Sequence, residues 1–181
     1  MARHPSRVLD EYLVVSAKGG DCDAFAILVR RWQKKLIAHA WRLTGDREAA
    51  QDAVQTGWSD IVRGLASLKD ERAFPAWAYR IVSRACAKQV RRKVHDRKII
   101  EALTDETSPE FQGGDAGIEG QRLRQAVRAL PPEQRAAIAL FHFEELSVAE
   151  VAVALDVPTG TVKTRLMHAR RKLRAAMEGE V

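Results

Sequence analysis

Apolar residues recur every three or four positions along most of the chain, and glycine and proline are scarce between them. This spacing matches the 3.6-residue period of an α-helix that buries one face. No segment alternates apolar and polar residues for long enough to form a strand. The sequence therefore predicts an all-α protein. The apolar sets that carry this prediction are Phe25, Leu28, Val29, Trp32, Leu36, Ile37 and Leu43 in one helix and Ala49, Ala50, Ala53, Val54, Trp58, Ile61 and Leu65 in a second.

A change in composition divides the chain in two. Residues 99–121 contain no lysine or arginine but six acidic residues, together with one proline and four glycines. Such a segment is typical of a flexible linker, and about twenty extended residues could span roughly 70 Å. The alternative is a surface loop within one domain, although loops of this length are uncommon in compact folds. We predict two small helical domains, at 10–98 and 122–178, joined by an acidic linker at 99–121.

The charge of the chain points to a polyanionic partner. The 181 residues carry a net charge of +6 with a pI near 9.6, and 46% of them are hydrophobic, enough for real cores. Nucleic acid is the first candidate partner and an anionic membrane surface the second. Cys22 and Cys86 are far apart and in no metal-ligand spacing, which favours reduced thiols in the cytoplasm. No signal peptide or membrane span is expected, so we predict a cytoplasmic protein without membrane insertion.

A helix-turn-helix is predicted between Ser147 and Leu173. Ser147 and Glu150 have the spacing of a capping box, which begins a short helix with an apolar face. Asp156, Val157 and Pro158 end that helix, and Thr159 or Gly160 opens the next. On the second helix Val162, Leu166, Ala169 and Leu173 fall within one narrow sector, which predicts the buried face.

The opposite face of this second helix is polar and basic. It carries Lys163, Thr164, Met167, His168 and Arg171, and Thr159, Gly160 and Thr161 precede it. Lysine and arginine can contact guanine edges or phosphates, and the methyl groups of threonine and methionine can touch thymine methyls. The pattern is typical of a helix that reads the major groove, although a helical hairpin with a solvated basic face would share it.

A second cationic surface is predicted on a helix that runs from about Ala73 to the basic cluster at 91–93. Arg80, Arg84, Lys88 and Arg91 form a stripe along one side of this helix, and Trp77 and Tyr79 lie near its start. The stripe could neutralise phosphates, and the aromatic rings could stack on unpaired bases. The alternatives are a solvated stripe and aromatic rings buried in the core, and for Trp77 the core is favoured.

These segments resemble conserved regions of extracytoplasmic-function (ECF) sigma factors. The resemblance to region 4 rests on LPPEQR at 130–135, LSVAEV at 146–151, GTVKTRL at 160–166 and HARRKL at 168–173. DAVQ at 52–55 is similar to the region 2.2 signature, and FPAWAYRI at 74–81 is similar to the start of the region 2.4 helix. The resemblance covers nearly the whole chain outside the linker, and the two regions follow each other in the family's order.

The resemblance implies that each domain has its own binding role. Asp52 and Gln55 would bind the coiled-coil clamp of core RNA polymerase. Residues from about Lys69 to Arg92, including Arg72 and the stripe, would read and open the promoter −10 element and capture an extruded base. The predicted recognition helix would dock in the −35 major groove. The family also implies an anti-sigma factor as a partner, and regulation by expression level alone is the alternative.

The chain departs from the family pattern at three positions. Arg84 stands where such factors often have asparagine, and Lys88 stands where aspartate is frequent. Thr56 replaces the acidic residue that commonly follows the region 2.2 glutamine. The first two bear on the preferred −10 sequence and the third on polymerase binding.

Three other functions compete with a sigma factor. A sigma-like adaptor that binds a regulatory protein would be expected to lose its basic DNA-facing residues, which this chain keeps. A dimeric helix-turn-helix repressor would leave the first domain without a purpose. An enzyme is not expected, because no phosphate-binding glycine loop, metal cluster, nucleophile motif or cofactor motif is present.

Overall fold

The computed structural model describes residues 5–101 and 118–178, which form α-helices and short helical turns and contain no strand. The all-α prediction is therefore confirmed for this part of the chain. Residues 102–117, most of the predicted linker, lie outside the described residues. The helices are α1 (Pro5–Lys18), α2 (Cys22–Thr44), α3 (Arg47–Gly64), α4 (Phe74–Glu101), α5 (Ile118–Ala129), α6 (Pro132–Ile138), α7 (Val148–Leu155) and α8 (Thr159–Glu178).

Local signals set the boundaries of the predicted helices. The carboxylate of Asp21 accepts the backbone N–H of Ala24 at 2.9 Å and begins α2. Gly45, with a φ of 69°, ends this helix in a left-handed conformation that glycine adopts without steric cost. Asp46 then caps α3 by accepting the N–H of Ala49 at 2.8 Å.

The core of the first domain lies between α2, α3 and α4. Leu28, Trp32 and Leu36 of α2 are buried, as their helical spacing predicts. The ring of Trp32 meets the rings of Phe74 and Tyr79 edge to face, at centroid distances of 5.3 and 5.6 Å. These aromatic contacts fix α2 against the first two turns of α4.

Helices α3 and α4 approach closely at Gly57. A Cβ atom on this glycine would lie 2.8 Å from the Cγ2 atom of Val82, which is fully buried. The close approach therefore depends on the missing side chain at this position.

Replacing Gly57 with alanine is expected to lower the free energy of unfolding by about 0–2 kcal/mol. Overpacking against Val82 costs about 1–3 kcal/mol, and alanine returns about 1 kcal/mol of helix propensity. Thermal unfolding followed by circular dichroism measures the change. Gly160→Ala is the control, because a Cβ atom there meets nothing within 4 Å. Equal stability of the two variants would contradict the close α3–α4 packing.

The second domain is built from α5, α6, α7 and α8. Its predicted capping box is present: Ser147 Oγ accepts the N–H of Glu150 at 3.2 Å, and Glu150 Oε2 accepts the N–H of Ser147 at 2.8 Å. Val162, Leu166 and Ala169 of α8 are buried as predicted, and Leu173 packs against the core. Between α6 and α7 a π-helical turn, Ala139–Phe143, was not predicted.

The structure adds helices at both ends of the predicted domains. Helix α1 was not predicted, and its core-facing side combines Leu13, Val14 and Ala17 with the charged residue Asp10. Leu13 and Val14 are buried, whereas Val8, Tyr12 and Val15 are exposed. Helix α4 extends to Glu101 and α5 begins at Ile118, so both helices include residues from the ends of the segment 99–121.

The two domains are also in contact, with α7 packed against α4.

Candidate nucleic-acid interface

Helix α8 presents a cationic face to solvent. Its first residues, Thr159 and Gly160, are exposed, and so are Lys163, Thr164 and Arg171 further along the helix. Thr161 and His168 are half-buried at the sides of the helix. Met167 is exposed over 57% of its surface, which is unusual for a large apolar side chain and leaves its methyl group open to contact.

A cleft of about 420 Å³ runs along this face. Its cationic side chains all come from α8, and its apolar residues come from the π-helical turn, from α7 and from α8 itself. The lining residues are Phe141, Val148, Lys163, Leu166, Met167, Arg170, Arg171 and Arg174. The cleft combines an apolar lining with four positive charges, an arrangement suited to a polyanion.

Arg170 and Arg174 also belong to this face and were not predicted from the sequence. They lie seven and eleven residues after Lys163, a helical spacing that was available in the sequence. Arg170 is held in place, with its guanidinium 5.4 Å from the ring centroid of Phe141 and its Nη2 atom 3.3 Å from Nε2 of His142. Burial, and to a smaller extent the charge of Arg170, lower the pKa of His142. The neutral imidazole is therefore favoured, and it can accept a hydrogen bond from the guanidinium of Arg170.

The cationic stripe of the first domain lies on α4, and it is partly occupied. Arg80 Nη2 lies 2.7 Å from Oδ1 of Asp156, and Arg84 Nη2 lies 2.9 Å from Oδ2 of the same carboxylate. Hydrogen bonds from the two arginines lower the pKa of Asp156, so this residue is held as a carboxylate. Lys88 and Arg91, the other members of the stripe, are exposed.

The remaining predicted −10 residues differ in their exposure. Lys69 is exposed, and Arg72 is exposed beside Asp70, with 2.9 Å between its Nε and an aspartate oxygen. Trp77 is half-buried: its ring lies 6.2 Å from that of Phe74, and a Cβ atom on Gly64 would lie 2.9 Å from it. Most of the indole is therefore used in packing.

The structure corrects the prediction for Tyr79. Only 2% of this residue is exposed, and its ring contacts the rings of Trp32 and His39, so it cannot stack on a base in this conformation. Its hydroxyl donates to the carboxylate of Glu144 from the second domain. Burial first, and then the charge of Glu144, raise the pKa of Tyr79 well above its ordinary value. The aromatic spacing in the sequence did not distinguish a core ring from an exposed one.

Asp52 and Gln55 lie together on the outer side of α3, away from α4. Both are exposed, and neither side chain has a partner in the part of the chain that the structure describes. Ser59 and Val62 continue the same line at intervals of four and three residues, and Val62 is 56% exposed. A line with this alternating spacing suits contact with another helix.

The described residues show neither a metal site nor a membrane span. Across 5–101 and 118–178, no three histidine, cysteine, aspartate or glutamate side chains come together as a metal site would require. In the same ranges no helix is both long and apolar enough to cross a membrane.

Family models match both halves of the chain. Residues 28–95 match the model described as Sigma-70 region 2, and residues 120–173 match the model described as Sigma-70, region 4. The first match contains the α4 stripe and the Asp52 and Gln55 pair, and the second contains the α8 face.

Relatives resemble the chain over nearly its whole length. The RNA polymerase sigma-H factor of Pseudomonas aeruginosa is 31% identical, over 93% of this chain and 94% of that protein. The ECF RNA polymerase sigma factor SigW of Bacillus subtilis is 30% identical, over 89% and 92%. The ECF RNA polymerase sigma factor SigM of Mycobacterium tuberculosis strain H37Rv is 34% identical, over 91% and 82%.

Solved structures share the fold. The sigma factor RpoE of Bartonella quintana, crystallised with the anti-sigma factor NepR, has a TM-score of 0.73 at 21% identity, over 85% of this chain and 96% of that one. CnrH, solved in complex with the cytosolic domain of CnrY, has a TM-score of 0.71 at 22% identity, over 96% and 99%.

Proposed function

Because this chain belongs to the ECF group of the sigma-70 family of RNA polymerase sigma factors, we propose the following assignment of its surfaces to promoter and polymerase. The chain is a transcription initiation factor that binds core polymerase and directs it to −10 and −35 promoter elements. It supplies recognition and catalyses no reaction itself. The observation that carries the assignment is the presence of two separate cationic helix faces, one in each domain.

The α8 face binds the −35 element. Lys163, Arg170, Arg171 and Arg174 supply four positive charges along one side of a helix that follows a tight turn, as a major-groove reader requires. The exposed methyl group of Met167 can contact thymine methyls, and the threonines at the start of α8 can bond to phosphates or bases. His168 lies at the side of this face and would contact its edge.

The α4 face binds the −10 element. Arg80, Arg84, Lys88 and Arg91 together can neutralise several phosphates of the opened strand. Lys69 and Arg72 extend this surface into the loop before α4. Trp77 contributes at most the open part of its ring, because the rest packs on Phe74 and Gly64.

The outer side of α3 binds core polymerase. Asp52 and Gln55 offer a carboxylate and an amide with no competing partner in the described structure, and Val62 adds an apolar contact at a spacing suited to a coiled coil. Because this surface faces away from the α4 stripe, the two contacts can form at the same time.

Replacing both Asp52 and Gln55 with alanine is expected to weaken binding to core polymerase at least tenfold, about 1.4 kcal/mol. Binding of the variant to promoter duplex through α8 should be unchanged. Pull-down with tagged core polymerase, followed by fluorescence anisotropy on duplex DNA, measures both. The control is Gln121→Ala with Glu133→Ala, which also removes one amide and one carboxylate, at exposed positions of α5 and α6. If the control reduced polymerase binding as much as the α3 variant, this surface would not be the binding site.

The domain division follows from these roles. We assign 10–98 to polymerase and −10 binding, 99–121 to an acidic linker, and 122–178 to −35 binding. Two weak DNA-binding modules on one chain gain effective concentration from their linkage. The chain acts in the cytoplasm, where core polymerase and the chromosome are.

An anti-sigma factor is the expected regulatory partner. The support is family membership and two solved structures of the same fold, one a complex with an anti-sigma factor and the other a complex with the cytosolic domain of CnrY. Affinity capture of the chain from unstressed cells should recover a stable inhibitor. Capture of core polymerase alone would favour regulation by expression level.

A further inference from the structure

The two domains meet through carboxylates of the second domain and arginines of the first. Asp156 binds Arg80 and Arg84 at 2.7 and 2.9 Å. Glu144 binds Arg42 at 2.5 Å and also accepts from the hydroxyl of Tyr79. We call these two carboxylates and their partners the interdomain latch.

A fourth ion pair and a ring contact extend the latch. Arg7 of α1 lies 2.8 Å from the carboxylate of Glu150, close to the start of α7. The guanidinium of Arg42 also lies 4.4 Å from the ring centroid of Phe143, next to Glu144 in sequence. In each of these four ion pairs the second domain supplies the carboxylate and the first domain supplies the cation.

The latch covers the surface assigned to the −10 element. Arg80 and Arg84 are two of the four cations in the α4 stripe, and both are bound to one carboxylate. A carboxylate that bridges two arginines has the charge and oxygen spacing with which a DNA phosphate would bind them. Asp156 therefore stands where the opened DNA strand would lie.

The latch also accounts for a departure from the family pattern. Arg84 occupies a position where such factors often have asparagine, and the structure gives the arginine a partner 72 residues away in the second domain. A shorter side chain without charge could not form this ion pair.

The two carboxylates differ in how easily they can be displaced. The side chain of Glu144 is only 6% exposed, so its contacts with Arg42 and Tyr79 are protected from water. Asp156 and Arg84 are 59% and 64% exposed, and salt or a competing polyanion can reach them. Separation of the two domains can therefore begin with the ion pairs of Asp156 and continue with the contacts of Glu144.

We infer that the closed arrangement is an autoinhibited form of the free chain. The second domain uses Asp156 and Glu144 in place of DNA phosphates and keeps the −10 face from DNA until the domains separate. This inference rests on the proposed role of the α4 stripe. It implies that the free chain binds single-stranded DNA weakly and that separation of the domains uncovers the stripe.

The latch is tested by neutralising its carboxylates without changing their shape. Asp156→Asn suits the site, because asparagine tolerates the left-handed conformation found there (φ 58°). Glu144→Gln keeps the hydrogen-bonding capacity beside Tyr79. Glu145→Gln is the matched control: Glu145 is also exposed and left-handed (φ 54°), and it has no hydrogen bond or ion pair within the described residues.

Fluorescence energy transfer within the full chain measures the separation of the domains. Cys22 is exposed and takes one dye, and a Lys172→Cys substitution on α8 takes the other. Cys86 is 1% exposed and burial raises its pKa to about 12, so it remains an unreactive thiol. Affinity for a mixed-sequence single-stranded 20-mer is measured separately on unlabelled protein.

The double variant Glu144→Gln/Asp156→Asn is expected to show lower energy transfer and about tenfold tighter binding to the oligonucleotide. Asp156→Asn alone should tighten this binding about threefold. Glu145→Gln should tighten it less than twofold, which measures the effect of losing one negative charge outside the latch. Raising the salt from about 0.05 M to about 0.5 M should lower energy transfer in the wild type and much less in the double variant.

Two results would overturn the inference. One is a double variant that matches Glu145→Gln in both measurements. The other is lower energy transfer without any increase in DNA affinity beyond that of the control, because the latch would then hold the domains together without masking the stripe. Core polymerase pull-down with the same wild-type protein keeps the outcomes distinct: failure there counts against the proposed function, and the measurements on the free chain still decide the latch.

Discussion

Replacing Lys163 and Arg171 together with alanine is expected to weaken binding to −35 duplex by about 1–3 kcal/mol for each side chain that reads a base, roughly fivefold to 150-fold for each. Both side chains are exposed and line the cleft on α8. Neither belongs to the buried side of the helix, so the second domain should remain folded. Binding to core polymerase should also be unchanged, since that interaction is assigned to α3.

The measurement is fluorescence anisotropy on a duplex taken from upstream of a mapped transcription start. Arg30→Ala with Lys34→Ala is the control, because it removes the same two charges from exposed positions on α2 in the first domain. General electrostatic attraction falls equally in both variants, whereas base recognition is impaired only in the α8 variant. If affinity fell by the same factor in both variants, α8 would contribute charge but no recognition.

Acidification from pH 7 to pH 4.5 is expected to remove about 2–3 kcal/mol from the stability of the first domain through His39 alone. This side chain is fully buried, and its Nε2 atom lies 2.9 Å from the hydroxyl of Ser83. Its Nδ1 atom has no hydrogen-bond partner among residues 5–101 and 118–178. Burial, and to a smaller extent the charge of Arg42, lower its pKa from 6.5 to about 3. The unfolded chain therefore takes up a proton below pH 6.5 that the folded chain takes up only near pH 3, so stability falls as the pH drops through this interval.

Urea unfolding at the two pH values measures this decrease. The four tryptophans all lie in α2, α3 and α4, so their fluorescence reports the first domain. His39→Gln is the comparison, because glutamine has no proton to gain and its amide can still reach Ser83. Carboxylates titrate in both proteins, so the difference between their pH dependences isolates the histidine. Equal decreases in the two proteins would mean that His39 is not the source of acid sensitivity.

Most of the helical framework could be predicted from the sequence, because it depends on local rules. The burial of Leu28, Leu36 and Val162 follows from helical spacing, and the capping box at Ser147 follows from two residues three positions apart. Helix α1 was not located in this way, because the charged residue Asp10 lies on its buried side while the apolar residues Tyr12 and Val15 are exposed. The π-helical turn before Glu144 also has no local signature.

The contact between the domains could not be predicted, for a different physical reason. Arg80 and Asp156 are 76 residues apart, and Arg42 and Glu144 are 102 apart. Nothing in the spacing of a single sequence pairs charges at such distances. Tyr79 shows the consequence: its position beside a cationic stripe suggested an exposed ring, whereas its ring is in the core and its hydroxyl serves the interface.

The candidate DNA-binding cations were largely identifiable, because a helix face follows directly from residue numbers. Arg170 and Arg174 were missed although they share the face of Lys163, because their place in the cleft depends on the π-helical turn that carries Phe141. Which cations are free and which are bound within the chain depends on the tertiary contacts. The α8 face is open, and the α4 stripe is half occupied by Asp156.

Transcription on genomic DNA by core RNA polymerase supplied with the purified chain tests the sigma-factor assignment most directly. We predict a complex with core polymerase and transcripts that begin at discrete sites, with shared sequences about 10 and 35 base pairs upstream of the starts. Core binding without initiation would contradict promoter recognition by the two cationic faces, and would favour an adaptor. The absence of any complex with core polymerase would contradict the sigma-factor assignment itself.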